Sequence, residues 1–150
     1  MEFVKNEVQL VQPNQPVLLD GSFWGRRNFI FHQDGSGIIT LRGIVANPYA
    51  EWALYQATFN GNIAVPTDGT VGAIAVALAR SGEPILTSRA IVTPAAVDEY
   101  FNVTSTAFII VPRGCSFDIS VENVSEPADA TTPAPAINVQ NSSLVITRIA

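Results

Sequence analysis

Residues Ala73–Ala79 read AIAVALA, an apolar run closed by turns on both sides. Pro66-Thr67-Asp68-Gly69 precedes it, where proline presets φ and glycine accepts a positive φ. Arg80 and the tight turn Ser81-Gly82-Glu83-Pro84 follow. A helix is open here, since Ala and Leu are good formers and Gly82 could cap its end. Such a helix would be apolar all round and very short. As a strand, Ile74, Val76 and Leu78 line one face and Ala73, Ala75, Ala77 and Ala79 the other. The spacing favours the strand. Both faces then need cover, and small side chains suit close approach by a neighbour.

The same punctuation recurs along the chain. GIITLRG, EWALYQATFNGNIAV, ILTSRAIVT, STAFIIVPRG, CSFDISVENVS and SSLVITRIA are rich in β-branched and aromatic residues, with Gly, Pro, Asn or Ser between them. INVQ adds a further short piece, and GSFWGRRNFIFHQDGSG is an aromatic stretch broken by four glycines. TPAAVDEYF carries a helix-start signal, with Thr93 before Pro94, and is predicted as one or two turns or an irregular edge strand. EPADATTPAPA, with three prolines and no large apolar residue, reads as an exposed loop. Many short strands with frequent turns predict an all-β jelly-roll or Greek-key sandwich. The expected organisation is an N-terminal arm over residues 1–20, with a possible first strand at Val17–Leu19. A single jelly-roll domain then spans 21–150, with the Pro-rich loop at 126–135.

Composition bears on what surrounds such a domain. The 150 residues are 47% hydrophobic but only 14% charged, with a net charge of −5. Soluble domains average about 25% charged. Mean hydropathy is +0.26. Lys5 is the only lysine among eight basic residues, and interfaces favour arginine over lysine. A covered surface is expected. Nucleic-acid binding wants a positive stripe, and only Arg26-Arg27 stand together, so no nucleic-acid partner is expected. The start, MEFVKNEVQL, has no basic n-region or apolar h-region and is not read as a signal peptide. No apolar run approaches the roughly 18 residues of a spanning helix, so no membrane partner is expected.

Candidate chemistry is sparse. His32 is the only histidine and Cys115 the only cysteine. One histidine does not furnish a cupin-type metal site, and no metal or cofactor is expected. A Cys115–His32 nucleophile–base pair is conceivable, but Cys115 reads more simply as a small core residue. Asp34 and Asp68 read as turn aspartates rather than calcium ligands. Asn102, Asn123 and Asn141 each open an N-x-S/T match, read as chance. Trp24, Phe29 and Phe31 are expected in the core, with an intersubunit anchor as the alternative, and Arg26-Arg27 in a solvated turn or an interface salt bridge. Tyr49 and Trp52, beside Pro48, are candidates for stacking on a sugar ring, with burial as the competing use. No enzyme activity is expected.

AIAVALARSGEPI resembles the mid-chain strand, tight turn and strand of the trimeric jelly rolls of the tumour-necrosis-factor and complement-head type. VPRGCSFDISVENVS resembles their segment in which a glycine after a bend launches a long strand, and SSLVITRIA their terminal strand. GNIAVPTDGTVGAIAVAL, TPAAVDEYFNV and VPRGC are similar to small proteins of phage and prophage regions in gut Firmicutes, associated with virion decoration or head fibres. The likeness covers roughly residues 37–150. Spore-surface relatives bear a collagen-like stalk, which this sequence lacks. The resemblance implies a homotrimer without catalytic residues, in which the face of Ala73, Ala75, Ala77 and Ala79 is covered by a neighbouring subunit. It further implies a structural virion protein, made in the host cytoplasm and attached to a major capsid protein or other virion component. The alternative is a carbohydrate- or cell-surface-binding module that takes a host glycan. In the virion reading, Val8, Leu10 and Val11 of the arm are the candidate capsid anchors.

Overall fold

The computed structural model describes residues 1–23 and 28–150. Twelve strands follow in chain order: β1 (Glu2–Lys5), β2 (Gln9–Val11), β3 (Asp20–Phe23), β4 (Ile30–His32), β5 (Ile39–Arg42), β6 (Trp52–Ala64), β7 (Ile74–Arg80), β8 (Glu83–Pro84), β9 (Ala90–Val92), β10 (Phe101–Pro112), β11 (Ser116–Asn123) and β12 (Ile137–Arg148). One sheet runs β10-β6-β12-β1-β3, with β2 also on β12; the other runs β4-β5-β11-β7-β8, with β9 also on β7. Every pairing is antiparallel. The molecule is an all-β jelly-roll sandwich, as the turn-punctuated sequence predicts.

Period-two alternation builds the core. Along β6, Ala53, Tyr55, Ala57 and Phe59 point inward, while Trp52, Leu54, Gln56, Thr58 and Asn60 face out. Ile109 and Val111 of β10, Leu144 and Ile146 of β12, Val76 and Leu78 of β7, and Ile119 and Val121 of β11 complete the dry layer. Among the described residues Tyr55 is the largest fully buried side chain. Its hydroxyl donates to the Arg42 carbonyl at 2.6 Å, so the phenol bridges the two sheets without leaving its polar end unpaired.

Several expectations are corrected. The polar N-terminal arm is built into the sandwich: β1 pairs β12 along Glu2–Lys5, and β2 pairs the start of β12. Phe3 and Val11 are core residues, so the alternation within EFVK and QLV outweighs the polar composition around them. Val17 and Leu19 are also core, but the strand lies just beyond them at Asp20–Phe23. TPAAVDEYF forms neither helix nor strand through its middle. The Glu99 carboxylate accepts the backbone N–H groups of Ala95 and Ala96, closing a turn that leaves Asp98 at φ 57°. Phe29 packs against the core, but Phe31 faces out with 64% of its surface exposed. Trp24, Arg26 and Arg27 lie outside the described residues.

The alanine face is the largest correction. Ala75, Ala77 and Ala79 are fully buried within the single chain, and only Ala73 is exposed. β7 lies between β11 on one edge and β8 and β9 on the other. Both faces of the run are closed inside one chain, and these alanines have no surface to offer a neighbour. Some of the exposed apolar side chains stand on the outer face of the other sheet. Phe108 is 63% exposed, Ile110 51%, and Val145 40%, around half-buried Leu54. The β10–β6 register sets Ile110 beside Leu54 and Phe108 beside Gln56.

Candidate functional site

The loop between β5 and β6 carries the aromatic pair singled out in the sequence. Asn47-Pro48-Tyr49-Ala50 is a β-turn: the Ala50 N–H donates to the Asn47 carbonyl at 3.1 Å, and Pro48 supplies the preset φ. The Asn47 side-chain oxygen accepts the Tyr49 N–H at 2.9 Å, stiffening the tip. Arg113 clamps the loop from β10's end, its Nη1 on the Pro48 carbonyl at 2.6 Å and its N–H on the Glu51 carbonyl at 2.8 Å. This rigid tip holds Tyr49 in solvent, 90% exposed, next to Trp52, 45% exposed at the start of β6.

Between them opens a shallow cavity of about 570 Å³, whose wall also includes Asn47, Glu51 and Arg148. Arg148 reaches this place because the β12–β6 register sets it beside Tyr55. Its guanidinium lies over the Phe29 ring at 4.2 Å and the Tyr55 ring at 5.8 Å. Its Nε donates to the Ala150 main-chain oxygen at 3.2 Å, while Nη1 is buried without a hydrogen-bond partner among the described residues. A second cavity, of about 500 Å³, borders the same residue on the side of Phe29 and Ile146. Burial pushes the Tyr55 phenol above its usual range, against the opposing pull of Arg148. Sequence reasoning finds Tyr49 and Trp52 but misses Arg148 and Asn47; the Asn-Pro dipeptide is a signal for the second, and nothing local signals the first.

A larger cavity, about 730 Å³, lies elsewhere, between the segment leading into β7 and the Pro-rich loop. Leu10, Val71, Ile91 and Pro133 supply apolar wall, and Arg89 and Glu126 pair at 3.2 Å across its rim. Of the candidate capsid anchors, Val8 and Leu10 are more than half exposed, and Leu10 borders this cavity. Val11 is spent in the core.

The structure keeps His32 and Cys115 apart. His32 sits beside Ile39 and Cys115 beside Gly43, at opposite ends of β5, a span of about 13 Å at strand rise. The His32 ring packs on Phe3 at 4.7 Å, and its Nε2 lies 2.8 Å from the Ser36 carbonyl. A carbonyl only accepts, so Nε2 carries the proton. Cys115 is exposed in a turn rather than in the core. Among the described residues no three His, Cys, Asp or Glu side chains gather closely enough to hold a metal ion. No described helix is long and apolar enough to cross a membrane.

No protein-family model matches the sequence, and no curated protein does. Solved structures do. The globular domain of the zebrafish complement 1qA protein superposes with a TM-score of 0.60 at 15% identity, over 99% of this chain and 96% of that one. The fold is thus the jelly-roll sandwich of the complement-head and tumour-necrosis-factor kind. The C-terminal domain of EclA, a sugar-binding protein, aligns over 95% of this chain and 79% of its own at 14% identity, with a TM-score of 0.42. That second likeness is too loose to carry an argument about fold or ligand.

Proposed function

We propose that this chain is a non-catalytic recognition module, a jelly roll that self-associates as a homotrimer and takes a saccharide at the Tyr49–Trp52 cavity. The carrying observation is the aromatic pair itself: a turn braced by Asn47, Pro48 and Arg113 keeps Tyr49 90% exposed beside Trp52. Saccharides present apolar C–H faces that stack on such rings, with hydroxyls at their edges. Asn47, Glu51 and Arg148 supply polar groups around the same cavity. The trimer reading draws on the outer sheet face of Leu54, Phe108, Ile110 and Val145, which replaces the alanines as the surface that needs cover. Glycan-array binding followed by calorimetry tests the reading. Tyr49→Ala and Trp52→Ala should each remove binding while the thermal melt stays put. A wild-type protein that binds no glycan overturns it.

A second reading, compatible with the first, is a virion decoration or head-fibre protein. The phage-protein resemblance suggests it, and exposed Val8 and Leu10, the second bordering the 730 Å³ cavity, give it an attachment surface. Val8→Asp with Leu10→Asp should then abolish attachment to the capsid and leave the fold intact. Full occupancy by that variant sinks this reading.

A further inference from the structure

We propose that the β10–β6–β12 face takes a second copy of this chain with its strands in the same direction, and that the amides of Asn60, Asn62 and Asn102 dictate that direction. This rests on the self-association reading and adds an orientation to it. β6 and β10 pair along the whole of β10 and contain no Asp, Glu, Lys or Arg, although the chain has eight basic and thirteen acidic residues. Gln140, Ser143, Val145 and Thr147 of β12, beside the outward positions of β6, are uncharged too. Glu2, at the margin on β1, accepts the Ser143 hydroxyl at 2.9 Å. A chain of net charge −5 repels its own copies. On this face two copies meet with no charge to desolvate and no like charges opposed, which selects a copy as the occupant.

The face is zoned along its strands. At one end the register sets Pro112 beside Trp52, Ile110 beside Leu54 and Phe108 beside Gln56; at the other, Thr106 beside Thr58, Thr104 beside Asn60 and Asn102 beside Asn62. In the polar zone Asn102 Nδ2 donates to Asn60 Oδ1 at 2.7 Å and to Asn62 Oδ1 at 3.1 Å, and the Thr58 and Thr106 hydroxyls lie 3.3 Å apart. The fan uses Asn102 as donor and its two neighbours as acceptors. Asn102 keeps its Oδ1, and Asn60 and Asn62 keep their N–H groups, so a second such cluster supplies the missing halves. Same-direction packing sets amides on amides and Leu54, Phe108 and Ile110 on their own kind. Opposite-direction packing buries the amides under apolar side chains, and their unmade hydrogen bonds count against it. A lone Asn fixes register in helical assemblies by the same rule.

Disulfide cross-linking reads the direction. In a Cys115→Ser background, Thr104→Cys marks the amide zone and Ile110→Cys the apolar zone, both at exposed positions. The two lie about 20 Å apart along β10, far beyond disulfide reach. Each variant is oxidised alone, and the two are also refolded together with different tags and then oxidised. Self-linked species should exceed mixed 104–110 bonds about tenfold or more, the scale set by one unsatisfied buried polar group. Adding Asn102→Val should let mixed bonds appear while association persists; Asn60→Val should do the same and stands in if the first does not fold. A monomer by light scattering overturns the self-association reading and this inference with it. An associated protein that forms no link at either position overturns the use of this face. Mixed bonds in the background protein overturn the direction and leave self-association standing. Self-linked species alone in both amide variants remove the amides as its cause.

Discussion

Single residues show how closely the interior is fitted. Gly43 follows β5, and a Cβ added there would collide with the Pro112 backbone carbonyl, which cannot swing aside as a side chain could. Gly43→Ala should cost about 1–3 kcal/mol by overpacking, measurable by urea denaturation. Glu122 poses a different problem. It is 7% exposed on β11 opposite Ala77, and its nearest polar companion is Ser120, whose hydroxyl lies 3.3 Å away. Burial holds its carboxyl above the ordinary 4.5, with the Ser120 bond opposing. The folded chain thus keeps this proton to higher pH than the unfolded chain does. The contribution to stability is greatest below 4.5 and is lost as pH rises through the folded value. Glu122→Gln should melt higher than wild type at pH 7, and the gap should close as pH falls towards 4. A gap independent of pH would remove burial of charge as its cause.

Elements divide into those that carry the sandwich and those that hang from it. β1 belongs to the first kind. Its ladder to β12 and the buried Phe3 ring place the first residues inside the structural core. Deleting residues 1–12 should leave a chain that does not fold, seen as loss of the cooperative melt, and Phe3→Ala alone should cost about 3–5 kcal/mol. An anchoring role for this region is consequently read from Val8 and Leu10 side chains, not from truncation. The Pro-rich loop belongs to the second kind. Asp129 collects hydrogen bonds from the hydroxyls and backbone N–H groups of Thr131 and Thr132, which hold its carboxyl down at about 2. These bonds stay within the loop. Pro135 is different, since its carbonyl accepts Asn123 Nδ2 at 2.9 Å. Replacing 127–133 with a short Gly/Ser link should move the melting temperature by only a few degrees, because closure entropy changes slowly with length. A collapse of the melt would mean that the loop's packing over the large cavity supports the fold.

At the scale of the whole molecule, the open question is what covers the face formed by β10, β6 and β12. Phe108, Ile110 and Val145 stand exposed on it, and neighbouring exposed apolar side chains of this kind mark a candidate contact surface. A homotrimer at micromolar concentration is expected by light scattering. Phe108→Glu with Ile110→Glu should convert it to a folded monomer, because both side chains point away from the core and carry no packing there. A wild-type monomer at those concentrations, or a double variant that remains trimeric, removes this face from the proposal.

The sequence by itself determined the architecture. Short alternating runs such as Trp52–Ala64 can bury one side only as strands, and Gly and Pro between them leave no length for helices. It also marked Tyr49 and Trp52, because aromatics beside a proline such as Pro48 are a local signal. Only the tertiary structure decided which faces remain open. The alanine run looks in sequence like a surface for a neighbour; β8, β9 and β11 close around it, and the exposed face falls to β10 instead. The polar start looks like an arm, yet alternation places Phe3 and Val11 under the sheet. Arg148 joins Tyr49 and Trp52 only through the pairing of β12 with β6, and strand register over such separations leaves no trace in the local pattern.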